Sequence, residues 1–392
     1  MPDEVRCTHQ VTLPSGDSGE PLRFSASRVD NYPVYVCRCD DRTLEYLCRE
    51  IDGRRVALVT DRTVAAAHAE RLAFRLRGAG LDVAMTSFPP GEASKTLRTA
   101  SRVLDWLAGT SIGRRDVVLA VGGGVVIDTV GWVASAFMRG VPYINVPTTL
   151  LGQVDAALGG KVAVDHPSAK NLIGAFYQPK AVVSNTNFLS TLETRHVAAG
   201  LAEAIKKGVI GSTELFELIE RVADQVLDHD PVALEDVVRA ASVVKGELVS
   251  HDPYETDLRR PLNFGHTVGH AVETVTGYGP VLHGEAVAYG MVVAAQVAVD
   301  RGVLDPELRG RLVRLLRRVG LPTRPGELGA HVDPAEVVAA LGQIRKIRDS
   351  RIRFVLPAEL GSTIIADDVT DAEVHRAILA TATSPGFRAT AA

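Results

Sequence analysis

Strand-like and helix-like stretches alternate through the first half of the chain. RRVALVTD, at Arg54–Asp61, is an apolar run that ends in a polar turn, the pattern of a buried strand. AHAERLAFRLRGAG follows with apolar residues at helical spacing and a glycine stop. LDVAMTSFPPGE predicts another strand and turn, and LRTASRVLDWLAG an amphipathic helix. DVVLAVGGG, at Asp116–Gly124, is an apolar strand running into three glycines. VVIDTVGWVASAFMRG then predicts a mostly buried helix, and VPYINVPTTL one more strand. Such alternation predicts a parallel sheet with flanking helices and right-handed crossovers.

The pattern changes near Leu189. From there to about Gly342 the period is helical, broken by short loops. Ile352–Gly361 predicts a short extended segment, and the tail TATSPGFRATAA a frayed end. The first 30 residues are irregular and polar. The expected architecture is an N-terminal α/β domain over residues 1–188 and an all-α C-terminal domain over 189–392. A cleft between them is a common place for an active site.

Composition narrows the function classes. A chain of 392 residues, 46% hydrophobic and 23% charged, is an ordinary globular protein. Its net charge of −4 gives no basic footprint for nucleic acid. No uncharged apolar stretch is long enough for a membrane span, and MPDEVRCTHQ lacks the apolar centre of a signal peptide. The cysteines, Cys7, Cys37, Cys39 and Cys48, show no CxxC spacing. Reduced thiols in the cytoplasm are expected, with a zinc site at Cys37 and Cys39 as the alternative. The chain has 8 Lys against 35 Arg. Lysine kept against such a bias marks positions that need a compact, tunable cation.

Gly122, Gly123 and Gly124 close a strand and open a helix, with Asp128 one turn on. Such a turn lets backbone N–H groups approach a phosphate. The spacing is not GxGxxG, and a tight turn without a ligand has the same pattern. Asp61 ends the first strand, where it could take a ribose hydroxyl or cap a helix. Glu92, Lys95, Thr148 and Thr149 stand at other strand ends.

His266, His270 and His283 crowd into eighteen residues. The first two are four apart, on one helix face, a spacing used for zinc. Glu203, in GLAEAIKKG, is a carboxylate in an apolar helix, and its burial needs a partner such as a metal. Two histidines and a carboxylate would leave coordination positions open for substrate. Spacing leaves open which two histidines take part. Ordinary core or surface histidines are the alternative. Lys161, Lys170, Asn171, Lys206, Lys207, Lys245, Arg259 and Arg139 add cations and polar groups around these motifs, which suggests an anionic, phosphorylated substrate.

VGGGVVID, RGVPYINVPTTLLGQVDAALGGK, KNLIGAFYQP, GLAEAIKKG, LNFGHTVGHAVE and LHGEAVAYGM occur in order and together resemble dehydroquinate synthase and related sugar phosphate cyclases. The likeness spans about residues 54 to 365. It implies a homodimer using NAD and a divalent metal, usually zinc, with cobalt as a substitute. Glu203, His266 and His283 match the metal ligands, and His270 a substrate and phosphate contact. Asp155, Lys161, Asn171, Lys206 and Asn263 match substrate-pocket positions, and Arg139 an arginine that reaches the partner's site. Asp61, Glu92, Lys95, Gly123, Gly124, Asp128, Thr148 and Thr149 match NAD contacts. The implied reaction oxidises a secondary alcohol transiently, eliminates phosphate, restores the alcohol, opens the ring and closes a carbocycle by an aldol step. NAD is regenerated, so the net reaction is a phosphate lyase.

Within the family, Lys245 and Arg259 match contacts to a substrate carboxylate. They point to 3-deoxy-arabino-heptulosonate 7-phosphate as substrate, 3-dehydroquinate as product and a place in aromatic biosynthesis. Other features resemble the secondary-metabolism cyclases that form valiolones or aminodehydroquinate. These are Ile127 before Asp128, the phrase TLETRH, Asn185, and Ile344-Arg345-Lys346 where an acid is usual. Lys346 remains a candidate phosphate contact. A metal-dependent glycerol dehydrogenase is the more distant alternative.

Overall fold

The computed structural model describes residues 30–255, 260–347 and 353–383, apart from the side chains of residues 343–347 and 383. The first elements are β1 (Val34–Cys37), α1 (Asp40–Ile51), β2 (Val56–Asp61), the short α2 (Arg62–Val64), α3 (Glu70–Gly78), β3 (Val83–Phe88) and α4 (Leu97–Gly109). They are followed by β4 (Val117–Gly122), α5 (Gly124–Ala136), β5 (Tyr143–Pro147), β6 (Lys161–His166), β7 (Ala169–Phe176) and β8 (Ala181–Asn185). Six strands form one parallel sheet in the order β1-β8-β5-β4-β2-β3. β6 and β7 are an antiparallel hairpin beside it.

Every residue of β2 and β4 is buried, because helices cover both faces of the sheet. Val56 and Leu58 of β2 pack with Leu47, Leu72 and Leu76 from α1 and α3. Ala57 and Val59 point the other way, toward Val103, Val126 and Val130 of α4 and α5. β3 pairs on one side of β2 and β4 on the other, so the winding reverses between β2 and β4. Ligands of open α/β sheets bind at the carboxyl ends of strands at such a switch. Asp61 and Gly122 are the last residues of those two strands.

The second half contains α6 (Thr194–Gly211), α7 (Thr213–Leu227), α8 (Pro231–His251), α9 (His266–Val275), α10 (His283–Asp300), α11 (Pro306–Arg318), α12 (Pro334–Ile347) and α13 (Asp371–Thr383). Between α12 and α13 lies an antiparallel pair, β9 (Phe354–Glu359) and β10 (Ser362–Ala366). Most of α6 and α10 is buried around the whole circumference, so these two helices form the centre of the bundle. A boundary at 188/189 falls in the 3-10 turn Thr186–Thr191, between the last sheet strand and α6. Among the described residues, no helix is long and apolar enough to cross a membrane.

The parallel α/β arrangement and the helical second half are those expected from the hydrophobic pattern. Three features were not legible there. β1 and α1 precede the first recognisable strand, the β6–β7 hairpin carries Lys161 and Asn171, and α13, only the end of which falls in the tail expected to fray, follows the late strands. The first 29 residues, including Cys7, lie outside the described residues.

Candidate active site

The glycine turn is built by close contact. A Cβ on Gly123 would stand 3.0 Å from Thr149 Cγ2, and Thr148 N–H donates to the Gly122 carbonyl at 3.0 Å. Gly123 and Gly124 open α5, whose first N–H groups face this corner, so an anion there would meet the positive end of the helix. Asp61 accepts from Thr63 N–H at 2.8 Å and Val64 N–H at 2.9 Å. Through Oδ1 it is therefore an N-cap.

Behind the turn, Lys95 is buried and its ammonium lies 2.5 Å from Asp128 Oδ2. It also donates to Asn171 Oδ1. Burial lowers the Lys95 pKa, but Asp128 and Glu92 outweigh this and raise it, so the lysine stays charged. Asn171 has φ = 53°, a left-handed conformation that asparagine tolerates. Positions matched to cofactor and to substrate thus meet in one hydrogen-bonded group.

The metal constellation assembles from three helices. α6 supplies Glu203, α9 supplies His266 and α10 supplies His283. The ligand atoms of these residues all lie within 4.8 Å of one another. Glu203 is fully buried and neither carboxylate oxygen accepts a well-formed hydrogen bond. Oε1 faces His266 Nε2 at 3.5 Å and His283 Nε2 at 3.6 Å. Lys206 stands 2.5 Å from Oε2. Burial raises the Glu203 pKa, but Lys206 prevails and the carboxyl is held well below its usual range.

These residues fit a divalent metal. His266 Nδ1–H donates to the Phe264 carbonyl at 3.2 Å, which leaves the lone pair on Nε2. Burial, then the nearby Lys206, pushes the His266 pKa well below the usual value, so the ring is neutral. An imidazole lone pair and a carboxylate oxygen facing each other repel unless a cation lies between them. Of the three histidines, His270 is the one outside the Glu203 group. Its ligand atom groups instead with Glu273 and His283.

The anion pocket differs from the expectation. Asp155 is met by Lys207 at 2.8 Å and by Lys245 at 3.0 Å. Lys245 also donates to the Asp155 backbone carbonyl at 2.7 Å. Burial raises the Asp155 pKa, but Lys207, Lys245 and Lys206 together hold it well below the normal range. Lys245 is thus already paired with an internal carboxylate. Lys161 is 46% exposed and is paired with Glu255, which also accepts from Asn263 Nδ2 at 2.8 Å.

Other residues lie apart. Arg139 is exposed, with φ = 67°, beyond the far end of α5 from the glycine turn, and is not part of the cluster. Lys346 falls in the last turn of α12, beyond the described side chains, and Arg259 lies outside the described residues. Sequence reasoning missed Glu273, which packs against His283 and Lys170. The available signal was its place on α9, three residues after His270 and on the same face.

The family models for 3-dehydroquinate synthase match here, the N-terminal one over residues 85–199 and the C-terminal one over residues 200–347. A 2-epi-valiolone synthase from Actinosynnema mirum is 57% identical over 378 residues, 96% of this chain and 98% of the relative. A 3-dehydroquinate synthase from Desulforamulus reducens is 44% identical over 345 residues, 88% of this chain and 95% of the relative. Among solved structures, the 2-epi-5-epi-valiolone synthase of Streptomyces hygroscopicus subsp. jinggangensis 5008, with NAD+ and Zn2+ bound, superposes with a TM-score of 0.85. It is 32% identical and the match covers 92% of this chain and 99% of that one. The chain belongs to the 3-dehydroquinate synthase family and is a sugar phosphate cyclase.

Proposed function

We propose that this cyclase acts on sedoheptulose 7-phosphate and forms a carbocycle of the valiolone type. The observation that carries the reading is the 57% identity to a 2-epi-valiolone synthase over 96% of the chain, against 44% for a 3-dehydroquinate synthase. The pairing of Lys245 with Asp155 supports it. That lysine was half of the argument for a carboxylated substrate, and its charge is already matched inside the protein. The secondary-metabolism alternative is therefore preferred to 3-deoxy-arabino-heptulosonate 7-phosphate.

Glu203, His266 and His283 would hold the metal, and the turn at Gly123 and Gly124, with Asp61, Glu92, Lys95, Asp128, Thr148 and Thr149, would hold NAD. When bound, the metal supplies Lewis acidity at adjacent substrate hydroxyls and NAD a hydride acceptor that is restored within the turnover. The protein's own groups position and balance charge. Lys206 orients Glu203, and Lys207 and Lys245 neutralise Asp155. Lys161, Asn171, Asn263 and His270 line the substrate side, His270 as the histidine outside the ligand set. Arg139 is assigned to the partner's site in a cytoplasmic homodimer, which sedimentation and an Arg139→Ala variant would check.

The test is phosphate release from purified protein with NAD and zinc. Release from sedoheptulose 7-phosphate, with a valiolone identified by NMR, is expected. Release from 3-deoxy-arabino-heptulosonate 7-phosphate alone would overturn the reading.

A further inference from the structure

Glu273 is only 4% exposed at its side chain, and the family reading gives it no role. A buried carboxylate is costly unless its charge is matched. Two groups converge on Oε1: His283 Nδ1 at 3.4 Å and Lys170 Nζ at 3.3 Å. The opposite ring nitrogen of His283, Nε2, faces Glu203 Oε1 at 3.6 Å. Lys170 is held from its other side by Glu92 at 3.1 Å and lies 4.7 Å from the centroid of the Tyr278 ring. The imidazole of His283 is therefore clamped edge to edge between two carboxylates. His266 is held in a corresponding way, its Nδ1–H on the Phe264 carbonyl and its Nε2 toward Glu203.

We propose that Glu273 is a positioning residue of the metal centre. It keeps the His283 proton on Nδ1 and fixes the ring plane, so that Nε2 is presented beside Glu203 and His266. Lys170 holds the Glu273 carboxylate in place from the side of Glu92. Partners of this kind behind ligating histidines set tautomer and orientation, and their loss weakens metal binding. The inference rests on the ligand set Glu203, His266 and His283, and on no choice of sugar phosphate. The alternative use of the same atoms is a second metal held by His270, Glu273 and His283, whose ligand atoms also lie within 4.8 Å of one another.

Zinc affinity of the full chain, measured by competition with a chromophoric chelator in the absence of substrate, tests the proposal. Glu273→Ala is expected to weaken zinc roughly 10- to 100-fold. Glu273→Gln, which can still accept from Nδ1–H, is expected to recover part of that loss, which a purely structural role for the charge would not do. Wild-type affinity in Glu273→Ala overturns the proposal, as does binding of two zinc ions per chain. A measurement on the unaltered protein stands if Glu273→Ala does not fold. With 15N-labelled histidine and one zinc bound, His283 must show a protonated Nδ1 and a metal-bound Nε2, and the reverse overturns the proposal. His266→Ala separates the two levels. If it keeps stoichiometric zinc, the ligand set fails. If it loses zinc while Glu273→Ala binds normally, only the positioning role fails.

Discussion

Gly290 lies so close to Gly265 that a Cβ added to it would stand 2.0 Å from the Gly265 carbonyl oxygen. Gly265 itself has φ = 78° and precedes His266, the first residue of α9. The contact brings the backbones of α9 and α10 together, and with them His266 and His283. Gly290→Ala is expected to force the helices apart, at a cost of about 3 kcal/mol, and to weaken zinc binding along with stability. Thermal unfolding and a zinc titration check this. An unchanged melting temperature with full zinc occupancy would show that the packing can yield.

His266→Ala should remove metal and cyclase activity together, since it deletes one of the three side chains that would ligate the metal. Metal analysis of the dialysed variant decides it. Stoichiometric zinc in that sample would mean that the ligand set is wrong.

Zinc binding should tighten as pH rises. Burial lowers the His283 pKa, but the neighbouring carboxylates of Glu203 and Glu273 outweigh this and bring it to about 10. A proton on the ring must leave before Nε2 can ligate a metal. Displacement of one proton predicts an apparent affinity that rises roughly tenfold per pH unit below that value. Calorimetry in buffers of different ionisation enthalpy counts the released protons, and zero release at pH 7 would contradict the expectation.

Lys245→Met should destabilise the fold whatever the substrate. Breaking one side of a buried pair typically costs about 3–5 kcal/mol, and Lys207 remains on Asp155, which favours the lower end. Urea denaturation gives the cost. Activity should fall with both seven-carbon phosphates alike. A selective loss on the carboxylated one would return Lys245 to the role of substrate contact.

Acid stability should depend on Glu373. Arg301 donates to both its oxygens, at 2.7 and 3.0 Å, and Thr370 N–H donates to it at 2.8 Å, anchoring the start of α13. The Arg301 and Thr370 bonds lower its pKa from 4.5 to about 2. A lowered pKa in the folded state contributes stability that is complete above pH 4.5 and is lost as pH falls through about 2. Glu373→Gln should flatten that part of the stability curve, and denaturant midpoints between pH 5 and 2 would show no difference from the parent if the pair contributed nothing.

Much of the fold was legible because its signals are local. β2, β4 and β5 are short apolar runs with turn residues after them, and α4 coincides with the stretch Leu97–Gly109 that has helical spacing. The late strand at Ile352–Gly361 was recognisable, but its partner β10 was not, since pairing leaves no mark within one strand. Lys161 lies in a glycine- and valine-rich stretch, yet it stands at the start of a hairpin with its side chain outward, a placement its neighbours do not reveal. The candidate site was readable as residue types: a carboxylate in an apolar helix, histidines at metal spacing, glycines at a strand end.

The sequence by itself therefore determined the α/β-then-helical order, the candidate residues for metal and nucleotide, and the family. Periodicity and residue chemistry are properties of short segments, and they survive in a one-dimensional reading. Only the tertiary structure decided which atoms face which. It separated His270 from the Glu203 group, made Asp61 a helix cap, gave Lys245 to Asp155 and placed Glu273 behind His283. These are distances between segments far apart in the chain, set by how closely glycines let helices pack and by which buried charges must be matched.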